Sequence, residues 1–292
     1  MPMPKGKFIN VDGIRTHYYE KGRGRPVLLV HGGNFGSGES SGNSWTWSAN
    51  FDALARRHHV IALDKLGQGY TGNPKKDSDY TMDAVVRHAY GFIRRKGLDR
   101  VNLVGHSRGG YITCRLTLEH PEVVRTCTIV DSNSCAPGVG MNEVVLANPP
   151  QPSLGRECQR WVLERYSHGP DHITEDWLDE LVKIGKTAKH KAAVRKMEAR
   201  HLKTRQFLPA LSRGRTEMYG WIRDTGMRRP TMIVWGYNDP TALIEQGHRL
   251  YDLIAGTERR TFMHVLNRAG HFSFREQPEQ FNHILSGFID AA

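Results

Sequence analysis

The sequence predicts an α/β domain with a mainly parallel sheet, helices on both faces and a helical segment inserted late in the chain. Short apolar runs alternate with helix-like patterns, which is typical of such a sheet. The alternation stops after Asp131 and resumes after Pro230. We therefore expect a core over residues 1–132 and 229–292, and a helical cap over residues 133–228.

The core is expected to begin with a hairpin whose strands meet at Asp12 and Gly13, a strong turn signal. The unbroken apolar run at residues 27–30 predicts a buried parallel strand, and a loop rich in Gly and Ser follows it to Ser44. Further strands are predicted over residues 60–63, 101–104, 127–130, 231–235 and 261–266. Helices are predicted over residues 47–57 and 81–96, from the turn at residues 105–109 to Glu119, and from Pro278 onward.

The net charge of +11 is concentrated in residues 183–229, which hold fourteen Lys and Arg against three acidic residues. A solvated helical face is the simplest interpretation, attraction of an anionic substrate is the second, and binding of nucleic acid or an anionic membrane is the third. Because no nucleic-acid-binding module is recognisable, we expect a small-molecule substrate of anionic character and no nucleic-acid partner.

Several features indicate a cytoplasmic protein. No apolar run reaches the roughly 18 residues needed to span a bilayer, and residues 1–7 lack the apolar stretch of a secretory signal. Four cysteines without C-x-x-C spacing predict reduced thiols. No metal or cofactor is expected, and a homo-oligomer remains open.

The pattern G-x-S-x-G at residues 105–109 places Ser107 between a predicted strand and a predicted helix. This is the setting of a nucleophile elbow, in which a tight turn projects the serine hydroxyl above the sheet. Small residues on either side let the neighbouring strand and helix approach. Ser107 is therefore the predicted nucleophile.

A serine hydroxyl needs a base at neutral pH. His271 follows the strand at residues 261–266 and precedes the last helix, so its ring can reach over the sheet. Asp239, after the strand at residues 231–235, is expected to orient His271 and fix its tautomer. Asp131 is the competing acid, and a turn or N-cap role is the alternative for Asp239.

The attacked carbonyl develops negative charge, which fixed N–H donors must stabilise. Arg108 supplies one backbone N–H at a helix start, where the helix dipole helps. Gly33, in the loop at residues 31–34, is the expected second donor. Turn geometry alone is the alternative explanation for the glycines of this loop.

Six segments together carry a family resemblance: residues 31–33 (HGG), 41–45 (SGNSW), 64–69 (DKLGQG), 80–84 (YTMDA), 105–109 (GHSRG) and 270–278 (GHFSFREQP). The chain resembles the meta-cleavage product hydrolases, α/β-hydrolases that cleave a carbon–carbon bond in ring-opened aromatic compounds. The resemblance covers about residues 8–132 and 230–290 and is weak in the cap.

The resemblance implies a serine hydrolase that tautomerises a dienol to a ketone and then cleaves beside the ketone carbon. It implies that Asn43 contacts the substrate's oxygen atoms. His106 stands where the family commonly has asparagine and Phe272 where it has tryptophan, so both are expected to bind substrate. The family's carboxylate-binding cap arginine has no clear counterpart near Lys183 and Lys186, which can replace its charge but not its bidentate fork.

Two functions remain open. The first is carbon–carbon bond hydrolysis of a vinylogous diketone acid from aromatic catabolism. The second is hydrolysis of a small ester or lactone, anionic or neutral, through an ordinary acyl-enzyme. The triad does not separate them, because both reactions need the same nucleophile, base and oxyanion hole. A non-enzymatic binding module is disfavoured by the presence of Ser107 and His271.

Overall fold

The computed structural model describes residues 3–292, so the first two residues of the predicted core segment lie outside the described part. It contains eight strands: β1 (Lys7–Val11), β2 (Ile14–Lys21), β3 (Pro26–Val30), β4 (His59–Leu63), β5 (Val101–His106), β6 (Val124–Val130), β7 (Thr231–Gly236) and β8 (Thr261–Leu266). They form one sheet in the order β1-β2-β4-β3-β5-β6-β7-β8. β1 and β2 pair antiparallel, as do β2 and β4, and the other neighbours are parallel.

The α-helices are α1 (Ser48–Ala55), α2 (Met82–Arg95), α3 (Arg108–Glu119), α4 (Asn142–Val145), α5 (Arg156–Tyr166), α6 (Glu175–Gly185), α7 (Ala188–Ala199), α8 (Leu208–Thr225), α9 (Ile244–Ala255), α10 (Ser273–Glu276) and α11 (Pro278–Ala291). Short 3-10 turns cover Ser44–Trp47, Asp77–Asp79 and Pro121–Val123, and a π turn covers Lys203–Phe207. α2 begins one residue later than predicted because the Thr81 side chain caps it, accepting from the backbone N–H of Ala84.

Alternate residues of the central strands pack into two different apolar clusters. In β3, Leu28 and Val30 belong to one cluster, and Val27 and Leu29 belong to the other. Since successive side chains of a strand point to opposite faces, both faces of the sheet are covered. The predicted α/β architecture with a mainly parallel, doubly covered sheet is confirmed.

The predicted insertion lies between two neighbouring strands. β6 precedes it and β7 follows it, and these strands pair directly from Cys127 opposite Thr231 to Val130 opposite Val234. Helices α4–α8 lie within residues 133–228, all of which the structure describes, and no strand does. Most of the basic side chains of residues 183–229 are exposed, which favours a solvated helical face as the main source of the local charge.

Two further features of the structure concern membrane-spanning helices and the cysteines. Within residues 3–292, no helix combines the length and the apolar character needed to cross a membrane. All four cysteines (Cys114, Cys127, Cys135 and Cys158) are buried and unpaired, as predicted for reduced thiols.

Candidate active site

Ser107 lies at the turn between β5 and α3 with φ 54° and ψ −121°, a backbone conformation that is strained for a residue with a side chain. Its N–H donates to the carbonyl of Val130 across 2.8 Å. A Cβ at Gly105 would lie 2.2 Å from the carbonyl oxygen of Gly109, and a Cβ at Gly109 would lie 2.1 Å from that of Val30. The two glycines therefore permit the close approach of strand and helix that the elbow requires.

His271 and Asp239 form a buried pair at the ends of neighbouring strands. Nδ1 of His271 lies 2.7 Å from Oδ2 of Asp239. The other carboxylate oxygen accepts from Thr241 N (2.8 Å), Thr241 Oγ1 (2.9 Å) and Ala242 N (2.8 Å). The carboxylate is thus held in one orientation, and it places the ring proton on Nδ1, which leaves Nε2 as the basic nitrogen.

Asp131, the competing acid, has other partners. Its Oδ1 accepts from Gly236 N (2.7 Å), and its Oδ2 accepts from Ser273 N (3.2 Å) and Ser273 Oγ (2.6 Å). Burial, together with the nearby charge of Asp239, raises the pKa of Asp131 well above its usual range. The geometry pairs His271 with Asp239. Asp131 instead links the end of β7 to the segment after His271 through hydrogen bonds.

Gly32, Gly33, Ser107 and Arg108 line one cavity. A Cβ on Gly32 would lie 2.9 Å from Cβ of Ser107, so the loop after β3 reaches the nucleophile through its backbone. Gly33 has φ 78°. Arg108 is the first residue of α3, where a backbone N–H has no partner within the helix. The two expected oxyanion donors therefore belong to the loop after β3 and to the first turn of α3, and both residues line the cavity that Ser107 lines.

Lys65 is a residue of this region that the sequence analysis missed. Its Nζ donates to the carbonyl of Gly33 across 2.9 Å, and its backbone N–H donates to Nε2 of His31 across 3.2 Å. The side chain is buried, and burial lowers the pKa of Lys65 well below its usual range. Only its place directly after Asp64, in a common turn motif, could have drawn attention to it.

His106 and Phe272 also line the cavity. Nε2 of His106 lies 2.7 Å from the carbonyl oxygen of His271, and its Nδ1 is buried without a partner. Burial lowers the pKa of His106 well below its usual range, which keeps the ring neutral. The ring of Phe272 packs edge-on against that of Trp177, with centroids 5.3 Å apart.

Asn43 is not brought into this cavity, although its neighbour Gly42 lines it. Oδ1 of Asn43 accepts from Trp45 N across 2.8 Å, and Nδ2 donates to the carbonyl of Ser41 across 3.2 Å. The side chain is buried and caps the 3-10 turn Ser44–Trp47. Both ends of the amide are used inside the loop, and substrate contact by Asn43 stays a prediction that this geometry does not favour.

The cavity has a volume of about 160 Å³ and lies between the sheet and the inserted helices. Apart from Phe272, its apolar wall comes from the inserted segment: Leu146, Val162, Leu163, Tyr166, Trp177 and Leu181. The ring of Tyr166 stacks on that of His271, with centroids 4.8 Å apart and planes 23° apart. The carbonyl of Tyr166 accepts from the backbone N–H of His271 across 2.8 Å. The inserted segment therefore touches the predicted base directly.

A model of the alpha/beta hydrolase fold matches residues 25–278 of this sequence. The chain belongs to the α/β-hydrolase fold family. The predicted hydrolase class is thereby confirmed. Two enzymes are similar to this α/β-hydrolase over nearly its whole length. The 2-hydroxy-6-oxo-6-(2'-aminophenyl)hexa-2,4-dienoic acid hydrolase of Metapseudomonas resinovorans is 29% identical over 97% of this chain and 90% of its own.

The 2-hydroxymuconate semialdehyde hydrolase of Pseudomonas sp. strain CF600 is 27% identical over 98% of this chain and 94% of its own. The solved structure of a serine hydrolase involved in carbazole degradation is 26% identical, with a TM-score of 0.76 and coverage of 99% of both chains. The resemblance to meta-cleavage product hydrolases that the motifs predicted is confirmed, and it extends through the inserted segment of this α/β-hydrolase.

Proposed function

We propose that this α/β-hydrolase cleaves a carbon–carbon bond in a ring-opened aromatic compound, with Ser107, His271 and Asp239 as its catalytic triad. The observation that carries the proposal is one cavity lined by both Ser107 and His271, with His271 oriented by Asp239 at 2.7 Å. The relatives that match nearly the whole chain are named as hydrolases of a substituted hexa-2,4-dienoic acid and of 2-hydroxymuconate semialdehyde, which supports this reaction.

In the proposed reaction, the substrate first converts from its dienol to its keto form. His271 accepts the hydroxyl proton of Ser107 as Oγ attacks the ketone carbon. The backbone N–H groups of Gly33 and Arg108 stabilise the resulting oxyanion. The carbon–carbon bond then breaks, and its electron pair passes into the departing fragment, which leaves as a dienolate and takes the proton from His271 on its enolate oxygen. The acyl group stays on Ser107. A water molecule, deprotonated by His271, hydrolyses the acyl-enzyme and restores Ser107.

We infer that residues 133–228 act as a cap over this site. Tyr166 and Trp177 contribute aromatic surface to the cavity, and both come from this segment. Apolar walls suit the ring-derived part of the substrate, and the positive charge of the segment suits an anionic one. We also infer a cytoplasmic location, which accords with the four buried, unpaired cysteines.

The test compares two substrates with the purified protein. One is 2-hydroxy-6-oxo-6-phenylhexa-2,4-dienoate, followed by loss of its dienolate absorbance and release of benzoate, and the other is p-nitrophenyl butyrate. We expect kcat/KM for the dienoate to exceed that for the ester, and the Ser107→Ala variant to lose both activities. A large preference for the ester would identify a carboxylesterase or lactonase in place of a carbon–carbon bond hydrolase.

A further inference from the structure

The side chain of Arg108, the residue after the nucleophile, lines the cavity. Its Nη1 is enclosed by protein atoms and has no hydrogen-bond partner. Across residues 3–292, its guanidinium has no hydrogen-bond or ion-pair partner; its Cζ lies 5.0 Å from the centroid of the Phe207 ring, a cation–π contact. A guanidinium offers five N–H donors, and here the protein satisfies none of them.

Arg275, a buried arginine of the site region, has the hydrogen-bond partners that Arg108 lacks. Nη1 of Arg275 donates to the carbonyl of Thr46 (2.8 Å) and to Oγ of Ser48 (3.0 Å), and its Nη2 donates to the carbonyl of His172 (3.1 Å). Buried polar groups are normally satisfied in this way, because an unpaired buried charge is costly. For Arg108, the acceptor has to come from whatever enters the cavity.

The charges around Arg108 leave that position open to an anion. Glu143 also lines the cavity, but its carboxylate pairs with Nζ of Lys203 across 3.2 Å, and 84% of the Glu143 side chain is exposed. Arg215, the nearby cation, is occupied by the carbonyls of Ala136 and Gly138. Burial lowers the pKa of Arg108 to about 10, so the guanidinium is still charged at neutral pH.

We propose that the guanidinium of Arg108 binds a carboxylate of the substrate. The anionic end is then selected by the residue after the nucleophile and not by a basic residue of the inserted segment. A planar guanidinium matches a carboxylate with two parallel hydrogen bonds, which a lysine cannot provide. The inference rests on the proposed function in one respect: the carboxylate is taken to be that of a dienoate-type substrate. Because the backbone N–H of the same residue is the proposed oxyanion donor, Arg108 also sets the distance between the acid group and the attacked carbonyl.

The test measures selectivity within each variant, so that any general effect on the elbow cancels. The substrates are p-nitrophenyl hydrogen glutarate, which is anionic, and p-nitrophenyl butyrate, which is neutral. We expect Arg108→Met to lower the anionic-to-neutral ratio of kcat/KM by about 10- to 100-fold, the range for a hydrogen bond between charged groups. Arg108→Lys should retain part of the ratio, and Lys203→Met, which removes the other cavity-lining cation, should barely change it.

A binding measurement covers the case in which neither ester is turned over. Calorimetry with 6-phenylhexanoate and 6-phenylhexanamide compares Ser107→Ala with the double variant that also carries Arg108→Met. We expect the acid, and not the amide, to lose about 10-fold or more in affinity when the guanidinium is removed. Equal affinity of the acid for both proteins, or loss of selectivity in Lys203→Met instead, would overturn the inference.

The two proposals can fail separately. If the protein cleaves the dienoate and Arg108→Met does not change the anionic-to-neutral ratio of kcat/KM, the proposed function stands and Arg108 does not bind the carboxylate. If the protein does not cleave the dienoate but its preference for the acid depends on Arg108, the proposed function is wrong and the anion-binding role of Arg108 stands. Thermal midpoints of the variants show whether each protein is folded before its ratio is interpreted.

Discussion

Nδ1 of His271 lies 2.7 Å from Oδ2 of Asp239, and both side chains are almost completely enclosed. The two residues are 32 positions apart in the chain. They meet because β7 and β8 are parallel neighbours, so their carboxyl ends, and the loops that follow them, lie side by side.

Ser107→Ala should lower kcat by on the order of 10⁴ or more, because nucleophile, base and acid act as a unit. Turnover of the dienoate measures the effect. Ser132→Ala is the matched control: it removes a buried serine whose Oγ lies 2.5 Å from the carbonyl of Ser107, and it should cost far less. Near wild-type turnover by Ser107→Ala would exclude a serine mechanism.

Asp239→Asn should lower kcat by about 10⁴, because the amide no longer holds the ring proton of His271 on Nδ1. Asp131→Asn should mainly destabilise the fold, by about 1–3 kcal/mol, because its oxygens accept from Gly236 and Ser273 and not from His271. Steady-state kinetics and urea unfolding of both variants separate the two effects. A greater loss of kcat in Asp131→Asn would assign the acid to Asp131.

Lys65→Met should lower kcat by about 10- to 100-fold, less than the loss expected for removing an oxyanion donor outright. The variant leaves the carbonyl of Gly33 without the ammonium that holds it at 2.9 Å, which lets the oxyanion loop shift. Lys189→Met is the control, since Lys189 binds the carbonyl of Thr71 at 2.8 Å in another loop. Equal kcat losses in the two variants would show that Lys65 has no special effect on the site.

His88 should make the protein acid-sensitive. Its Nε2 lies 2.9 Å from Oγ1 of Thr16, and burial lowers the pKa of His88 to about 4. The unfolded state binds a proton at His88 near pH 6.5, and the folded state binds it only near pH 4. The free energy of unfolding therefore has its full value above pH 6.5 and falls as the pH drops from 6.5 to 4. Between pH 7 and pH 5, the wild type should lose about 2 kcal/mol more than His88→Gln. Urea unfolding at both pH values measures this difference, and parallel losses in the two proteins would contradict it.

Two glycines of α8 should respond oppositely to alanine. A Cβ at Gly220 would meet nothing within 4 Å, so Gly220→Ala should stabilise the protein by about 0.5–1 kcal/mol through helix propensity. A Cβ at Gly214 would lie 2.1 Å from the hydroxyl of Tyr111, which is buried, so Gly214→Ala should destabilise by about 1–3 kcal/mol. Urea unfolding measures both changes, and a destabilised Gly220→Ala would contradict this account of α8.

Sequence patterns predicted most of the core because they report local backbone preferences and burial on strand faces. The predicted strand over residues 261–266 coincides with β8, and the last helix begins at Pro278 as expected. β6 begins at Val124 and not at residue 127, because the polar residues Arg125 and Thr126 interrupt the apolar run although both belong to the strand. An apolar pattern misses strand residues with polar side chains, because the backbone makes the ladder hydrogen bonds whatever the side chain is.

The sequence by itself determined the α/β architecture, the elbow at Ser107 and the position of His271 after the last strand, since these depend on short-range spacing and steric rules. Only the tertiary structure decided that Asp239 and not Asp131 faces His271, that Asn43 is used inside its own loop, and that Arg108 lacks a partner. These outcomes depend on distances between loops that are remote in the chain. Such distances are set by how strands pair and how the inserted helices pack, which no local pattern records.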